Sequence, residues 1–177
     1  MPDDPIPHPR HRGDGHVESA VGVSAVPGSL RSASSLPRID YADAFTLTTG
    51  LSAPPEGWAR AMFGDTPDLA AWLIWRGFLG LRLSRGSARD TVAGWRIAGR
   101  GQDWIRLEAD SWFLNGNLVV RADGAGASLG TFLHYRRALG RVVWPALSAL
   151  HRRLAPGLLR DAAAKLRPPG RGSTPPV

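Results

Sequence analysis

The chain reads as an α+β domain in which an antiparallel sheet is covered by one long C-terminal helix. Two observations predict this. Four strand-like runs follow one another between residues 92 and 136 with only short turns between them, the mark of antiparallel neighbours. After them, from Arg137 to Leu166, apolar residues recur at helical spacing.

The elements follow in order. Ile39–Thr48 (IDYADAFTLT) is rich in aromatic and β-branched residues and is expected as the first strand. Pro54-Pro55 opens a short helix that sets Trp58 and Met62 on one face and stops at Gly64. Thr66 as N-cap, Pro67 at the first helical position and Asp68 beside the positive end of the dipole predict a second helix through Leu79. The meander comprises Val92–Arg100, Asp103–Ala109, Ser111–Arg121 and Ala127–Arg136, and Leu79–Ser84 is a candidate further strand. In the first two runs Trp95, Ile97, Ile105 and Leu107 alternate with Arg96, Arg100, Arg106 and Glu108, so one face is apolar and the other wet. In the last helix Leu139, Val143, Ala146, Leu147, Leu150, Leu154 and Leu158 share a sector. Arg137, Arg141, Arg152, Arg153, Arg160 and Arg167 fall largely opposite, and Pro145 and Pro156 are expected to kink or divide the helix.

Around this core, residues 1–37 hold Pro2, Pro5, Pro7 and Pro9 and a Ser-rich run but no lasting apolar period, and are expected to form a disordered leader. Residues 38–167 make the domain, and residues 168–177 (PPGRGSTPPV) a second loose tail.

Composition excludes several functions. The 177 residues contain no cysteine, which removes disulfides, Cys-ligated metals and a thiol nucleophile. Stretches free of charge reach at most twelve residues, as in Ser19–Leu30 and Ala44–Pro55, too short for a spanning helix. Cytoplasmic placement is the expectation, since no secretory leader is recognisable. No nucleophile elbow, metal-binding His pair or phosphate loop occurs in the ordered region, so neither a metal nor a cofactor is expected. The net charge of +7 is local: residues 136–167 carry seven Arg and Lys165 against Asp161 alone. Arg137, Arg141, Arg152 and Arg153 could meet an anionic surface, whereas the scarcity of interleaved aromatics argues against nucleic acid.

The stretches GWRIAGRGQDWIRLEADSWFLNGNLVV, TFLHYRR and VVWPALSALHRRLAPGLLRDAA, with the element order, resemble the START-like or helix-grip superfamily, in an uncharacterised actinobacterial branch. That superfamily includes ligand carriers, lipid-transfer domains and the polyketide cyclase/dehydrase group. The resemblance implies a curved antiparallel sheet wrapped around the C-terminal helix, two short helices after the first strand, and an apolar cavity between sheet and helix. It usually brings six meander strands, where four are evident here.

On this reading the function is binding of an apolar or aromatic small molecule in that cavity. An enzyme of the cyclase/dehydratase type in the same cavity is the alternative, and a cationic helix docking on anionic lipid or nucleic acid is a third. The ligand candidates are Trp95, Trp112, Asn115, Tyr135, Trp144 and His151. Catalytic candidates are weaker: His134 or Tyr135 at the end of the last strand, and Glu108 if a bulge before Trp112 turns it inward. His151 is expected at the edge of the leucine stripe, as a boundary residue before a pocket group.

Overall fold

A computed structural model describes residues 15–65, 73–84 and 88–168. It shows β1 (Val17–Val21), α1 (Gly28–Arg31), β2 (Tyr41–Thr48), α2 (Pro55–Phe63), a π-helical turn (Leu73–Phe78), β3 (Thr91–Val92), β4 (Trp95–Arg100), β5 (Trp104–Asp110), β6 (Leu114–Ala122), β7 (Gly126–Tyr135) and α3 (Ala138–Leu166). The strands form one antiparallel sheet in the order β1-β2-β7-β6-β5-β4-β3.

The meander is present, with one refinement. The run expected over Val92–Arg100 is a hairpin, in which Val92 faces Trp95 across the two-residue turn Ala93-Gly94. Both turn residues have positive φ, 50° and 81°, the backbone that matches the twist of a tight hairpin. Leu79–Ser84 is not a strand, although it is tied at Arg82 N–H to Asp110 O (2.9 Å) and at Ser84 N–H to Gly94 O (2.9 Å). The helix expected from Thr66 begins outside the described residues, and its described end is the π-turn.

Alternation along the strands creates two faces. Phe45, Leu47, Trp95, Ile97, Ile105, Leu107, Leu114, Leu118, Leu129 and Leu133 belong to the main core, which α2 and α3 cover. Pro54 and Pro55 start α2, Trp58 and Met62 are its buried anchors, and Gly64 ends it at φ 74°. Helix α3 follows β7 at once, its start held by Arg136 and Arg137 N–H groups on the Phe113 carbonyl. It is continuous through 29 residues, and neither Pro145 nor Pro156 divides it.

The packed face of α3 differs from the expected leucine sector. Its buried residues are Gly140, Trp144, Ser148, Ala155, Leu159, Ala162 and Ala163. At 100° per residue that stripe lies roughly 120° from the leucines. Small side chains let the helix approach closely, and a Cβ on Gly140 would stand 2.8 Å from the Tyr135 ring. Leu150 and Leu154 are left 43% and 51% exposed.

The expectation of a disordered leader is corrected for its described part. Val17–Val21 pairs with β2 as an edge strand. Val26, Leu30 and Ala33 are buried in a second apolar cluster with Ala42, Ala44, Val119 and Phe132 from the outer face of β2, β6 and β7. Residues 15–37 escape a search for long periods because each contributes through a short strand and a few anchors on a loop. The outer face is therefore covered at its centre and polar elsewhere, at Arg96, Arg106 and Glu108 of β4–β5 and around Glu18, Thr46, Arg121 and Ser128.

Candidate functional site

Between the inner face and α3 lies a cavity of about 510 Å³, within the range of small-molecule pockets. Leu114, Leu118, Leu129 and Leu133 line its sheet side, and Leu147, Leu150, Leu154 and Leu158 its helix side. Met62, Phe63, Trp75, Trp95 and Trp144 complete the apolar wall. The leucine sector of α3 thus faces the cavity and its mouth, which explains why so apolar a stripe is only partly buried.

One polar cluster interrupts this wall. Asp43 is fully buried on the inner face of β2, directly opposite Thr131 of β7. The Tyr41 hydroxyl donates to Asp43 Oδ2 at 2.6 Å. His151 Nε2, reaching in from α3, lies 3.1 Å from Thr131 Oγ1 and 3.3 Å from the Asp43 carboxylate. Arg152 donates to Ser148 Oγ (3.0 Å) and Tyr41 Oη (3.4 Å), placing its charge behind the cluster. Burial, reinforced by the Asp43 charge and its hydrogen bond, pushes the Tyr41 phenol well above its ordinary value, so it stays a donor. An ionised carboxylate only accepts, which makes Nε2 the protonated nitrogen of His151 when the two are bonded.

Two further donors lack acceptors. The indole Nε1 atoms of Trp95 and Trp144 are buried without a hydrogen-bond partner, and both residues line the cavity. An unmet buried donor costs about 1–3 kcal/mol. Among the described residues the other such atoms are Trp58 Nε1 and Asn115 Oδ1, neither on the cavity wall.

Of the residues singled out from sequence, Trp95, Trp144 and His151 are brought together here. Trp112, Asn115 and Tyr135 are not. Trp112 sits in the β5–β6 loop, 54% exposed, with the Arg137 guanidinium 5.6 Å above its ring. Asn115 is on the outer face, in phase with Asn117 and Val119. Tyr135 packs on Gly140, and burial followed by the charge of Asp40 pushes its phenol up to about 12.

The catalytic candidates are corrected too. No bulge turns Glu108 inward: the β5–β6 register is regular, and the carboxylate takes Ser35 Oγ (2.6 Å), Arg96 (2.6 Å) and Arg106 (2.8 Å) on the outer face. With Asn117 Oδ1, which accepts from Ser34 Oγ (3.0 Å) and from the Ser35 N–H (2.8 Å), it clasps the segment after α1 to the sheet. His134 likewise points outward, its Nδ1 2.8 Å from Asp40. Asp40 also accepts the Tyr135 N–H (2.9 Å) and pairs with Arg38 (3.0 Å). Of the proposed cationic contacts, Arg137, Arg141 and Arg153 are exposed, Arg137 lying over the Trp112 ring, while Arg152 is turned into the cluster.

Asp43 and Thr131 were missed from sequence. Their signal was available: each is a polar residue in the apolar phase of its strand, between Tyr41 and Phe45 and between Leu129 and Leu133. Among the described residues no three His, Asp or Glu side chains converge as a metal would require, and no helix is long and apolar enough to cross a membrane. Comparison with family models, curated proteins and solved structures finds no match to the chain.

Proposed function

We propose that this chain is a binding module for an apolar or aromatic small molecule, seated between the sheet and α3 in a helix-grip arrangement of the START-like kind. One observation carries this reading: the most apolar stripe of α3 is not its packed face but the wall and mouth of a 510 Å³ cavity. An exposed apolar stripe beside a cavity is favourable where a ligand covers it.

Native mass spectrometry of protein purified from a source close to its own tests this first, with a discrete extra mass lost on denaturation as the expected result. An apolar fluorescent probe such as N-phenyl-1-naphthylamine gives the second test. It should bind, and Leu150→Asp with Leu154→Asp should abolish binding without unfolding the chain. Unladen protein that also ignores the probe would remove the reading.

The Asp43–His151 pair favours one alternative, an enzyme of the cyclase/dehydratase type in the same cavity. A carboxylate that orients an imidazole can support proton transfer to a bound molecule. His134 and Tyr135 are replaced in this role by His151, and a conversion that survives His151→Ala would exclude it.

A further inference from the structure

We infer that the outward face of the first half of α3, with Trp112 beside its start, docks on an anionic lipid bilayer. This is a second surface, distinct from the cavity and able to act without it.

Exposed apolar groups and unpaired cations coincide here. Among the described residues Trp112, Leu139, Val142, Leu150 and Leu154 are large hydrophobic side chains left exposed, and only Val21 joins them from elsewhere. Val142 is 72% exposed. At 100° per residue Leu139, Val142, Ala146, Ala149, Leu150 and Leu154 share a sector roughly 140° wide, in which Arg153 is the one charge. Leu139 and Val142 lie outside the cavity wall, so a ligand within it leaves them bare. The rim is cationic: Arg136, Arg137, Arg141 and Arg153 are exposed, and none of the four takes part in an ion pair among the described residues. The acids nearest in the chain are Asp110, at the end of β5, and Asp161, about two turns beyond Leu154, while Asp40 is taken up by Arg38 and His134.

Aliphatic tips, an exposed Trp and free guanidinium groups together suit the headgroup boundary of a bilayer, where the apolar face sinks in and the cations meet lipid phosphates. A second copy would instead set these arginines against one another. Short aliphatic side chains on one convex helix form no groove for a protein segment, and a bilayer needs none. Leu150 and Leu154 also border the cavity, so docking sets its mouth against the acyl chains.

Vesicle flotation at about 0.1 M salt tests this, comparing phosphatidylcholine alone with phosphatidylcholine carrying about 30% phosphatidylglycerol. The anionic vesicles should bind at least about tenfold more tightly, and about 0.5 M salt should weaken that binding. Val142→Glu with Leu139→Glu, and separately Arg141→Glu with Arg153→Glu, should each lower it at least about tenfold with the far-UV circular dichroism unchanged. Equal binding to both vesicles, binding to neither, or binding that the Val142→Glu, Leu139→Glu variant retains in full overturns the inference. A dimer in sedimentation that this variant dissociates gives the face to a second copy and overturns it as well. In each of these cases N-phenyl-1-naphthylamine bound by the parent chain leaves the cavity reading standing. Its failure to bind, with vesicle docking intact, removes the cavity reading alone.

Discussion

Glu108 and Asn117 show how one residue's role turns on which way a strand faces. Glu108 falls on the wet face by alternation, as the structure bears out, and there, ringed by Arg96, Arg106 and Ser35, it holds a chain segment down instead of entering the cavity. Asn117→Ala would remove the acceptor of the half-buried Ser35 N–H bond, a loss of about 0.5–1.5 kcal/mol readable as a lower urea midpoint. Binding of an apolar probe should be unchanged, and a probe affinity that falls in parallel would contradict the separation of the two faces. Acid provides a second check. Burial pushes Glu108 and Asp40 upward, but the Ser35 hydroxyl with Arg106 and Arg96, and the Tyr135 N–H with His134 and Arg38, outweigh it and hold both below the usual range. Carboxylates depressed in the folded state stabilise it above their unfolded value, near pH 4, and that contribution is lost as pH falls through the folded value. The urea midpoint should therefore drop on acidification from about pH 5, and Glu108→Gln should lower it at neutral pH while flattening the acid limb. An acid limb of unchanged steepness would assign the effect elsewhere. The residues legible from sequence were Trp95, Trp144 and His151, which announce themselves by size or by breaking a leucine pattern. Asp43 and Thr131 are less legible because each is a single polar residue in the apolar phase of its strand, and only strand pairing sets the two opposite each other.

Elements with a strong local signal were readable, and those whose stability is tertiary were not. Pro54-Pro55 and Gly64 bracket α2, and the β5, β6 and β7 runs fall within a few residues of expectation, because caps, turns and alternation are written locally. The β1 strand and α1 are different: five and four residues long, they persist only through pairing with β2 and through burial of Val26, Leu30 and Ala33. Leu30 is 1% exposed, so Leu30→Ala should cost about 2–5 kcal/mol in a chemical denaturation experiment. A change within about 0.5 kcal/mol, the usual scale of surface substitutions, would mean that this segment is not part of the folded unit. The orientation of α3 was misjudged for a related reason. A helical wheel finds the most apolar sector, but packing selects the face whose small residues allow close approach, here Gly140, Ser148, Ala155 and Ala162.

At the scale of the whole molecule, the sheet carries apolar cover on both sides, but the two covers differ in kind. The outer cluster around Leu30 and Phe132 is closed by a clasped segment, whereas the inner side combines a packed zone with a cavity. Packing α3 through its small residues while its leucines surround a void leaves burial incomplete, and a ligand would supply the missing contacts. A ligand bound only by the folded chain at one hundred times its Kd would add about 2.7 kcal/mol of stability. Leu118→Phe distinguishes this arrangement from a filled core. Leu118 is buried at the centre of β6 and lines the cavity. In a close-packed interior the added bulk would cost about 1–3 kcal/mol through strain. Here the ring can enter the void, so the urea midpoint should fall by less than that range while affinity for an apolar probe drops at least about tenfold. The reverse pattern, full overpacking strain with undiminished probe binding, would place the probe elsewhere on the molecule and the void outside its function.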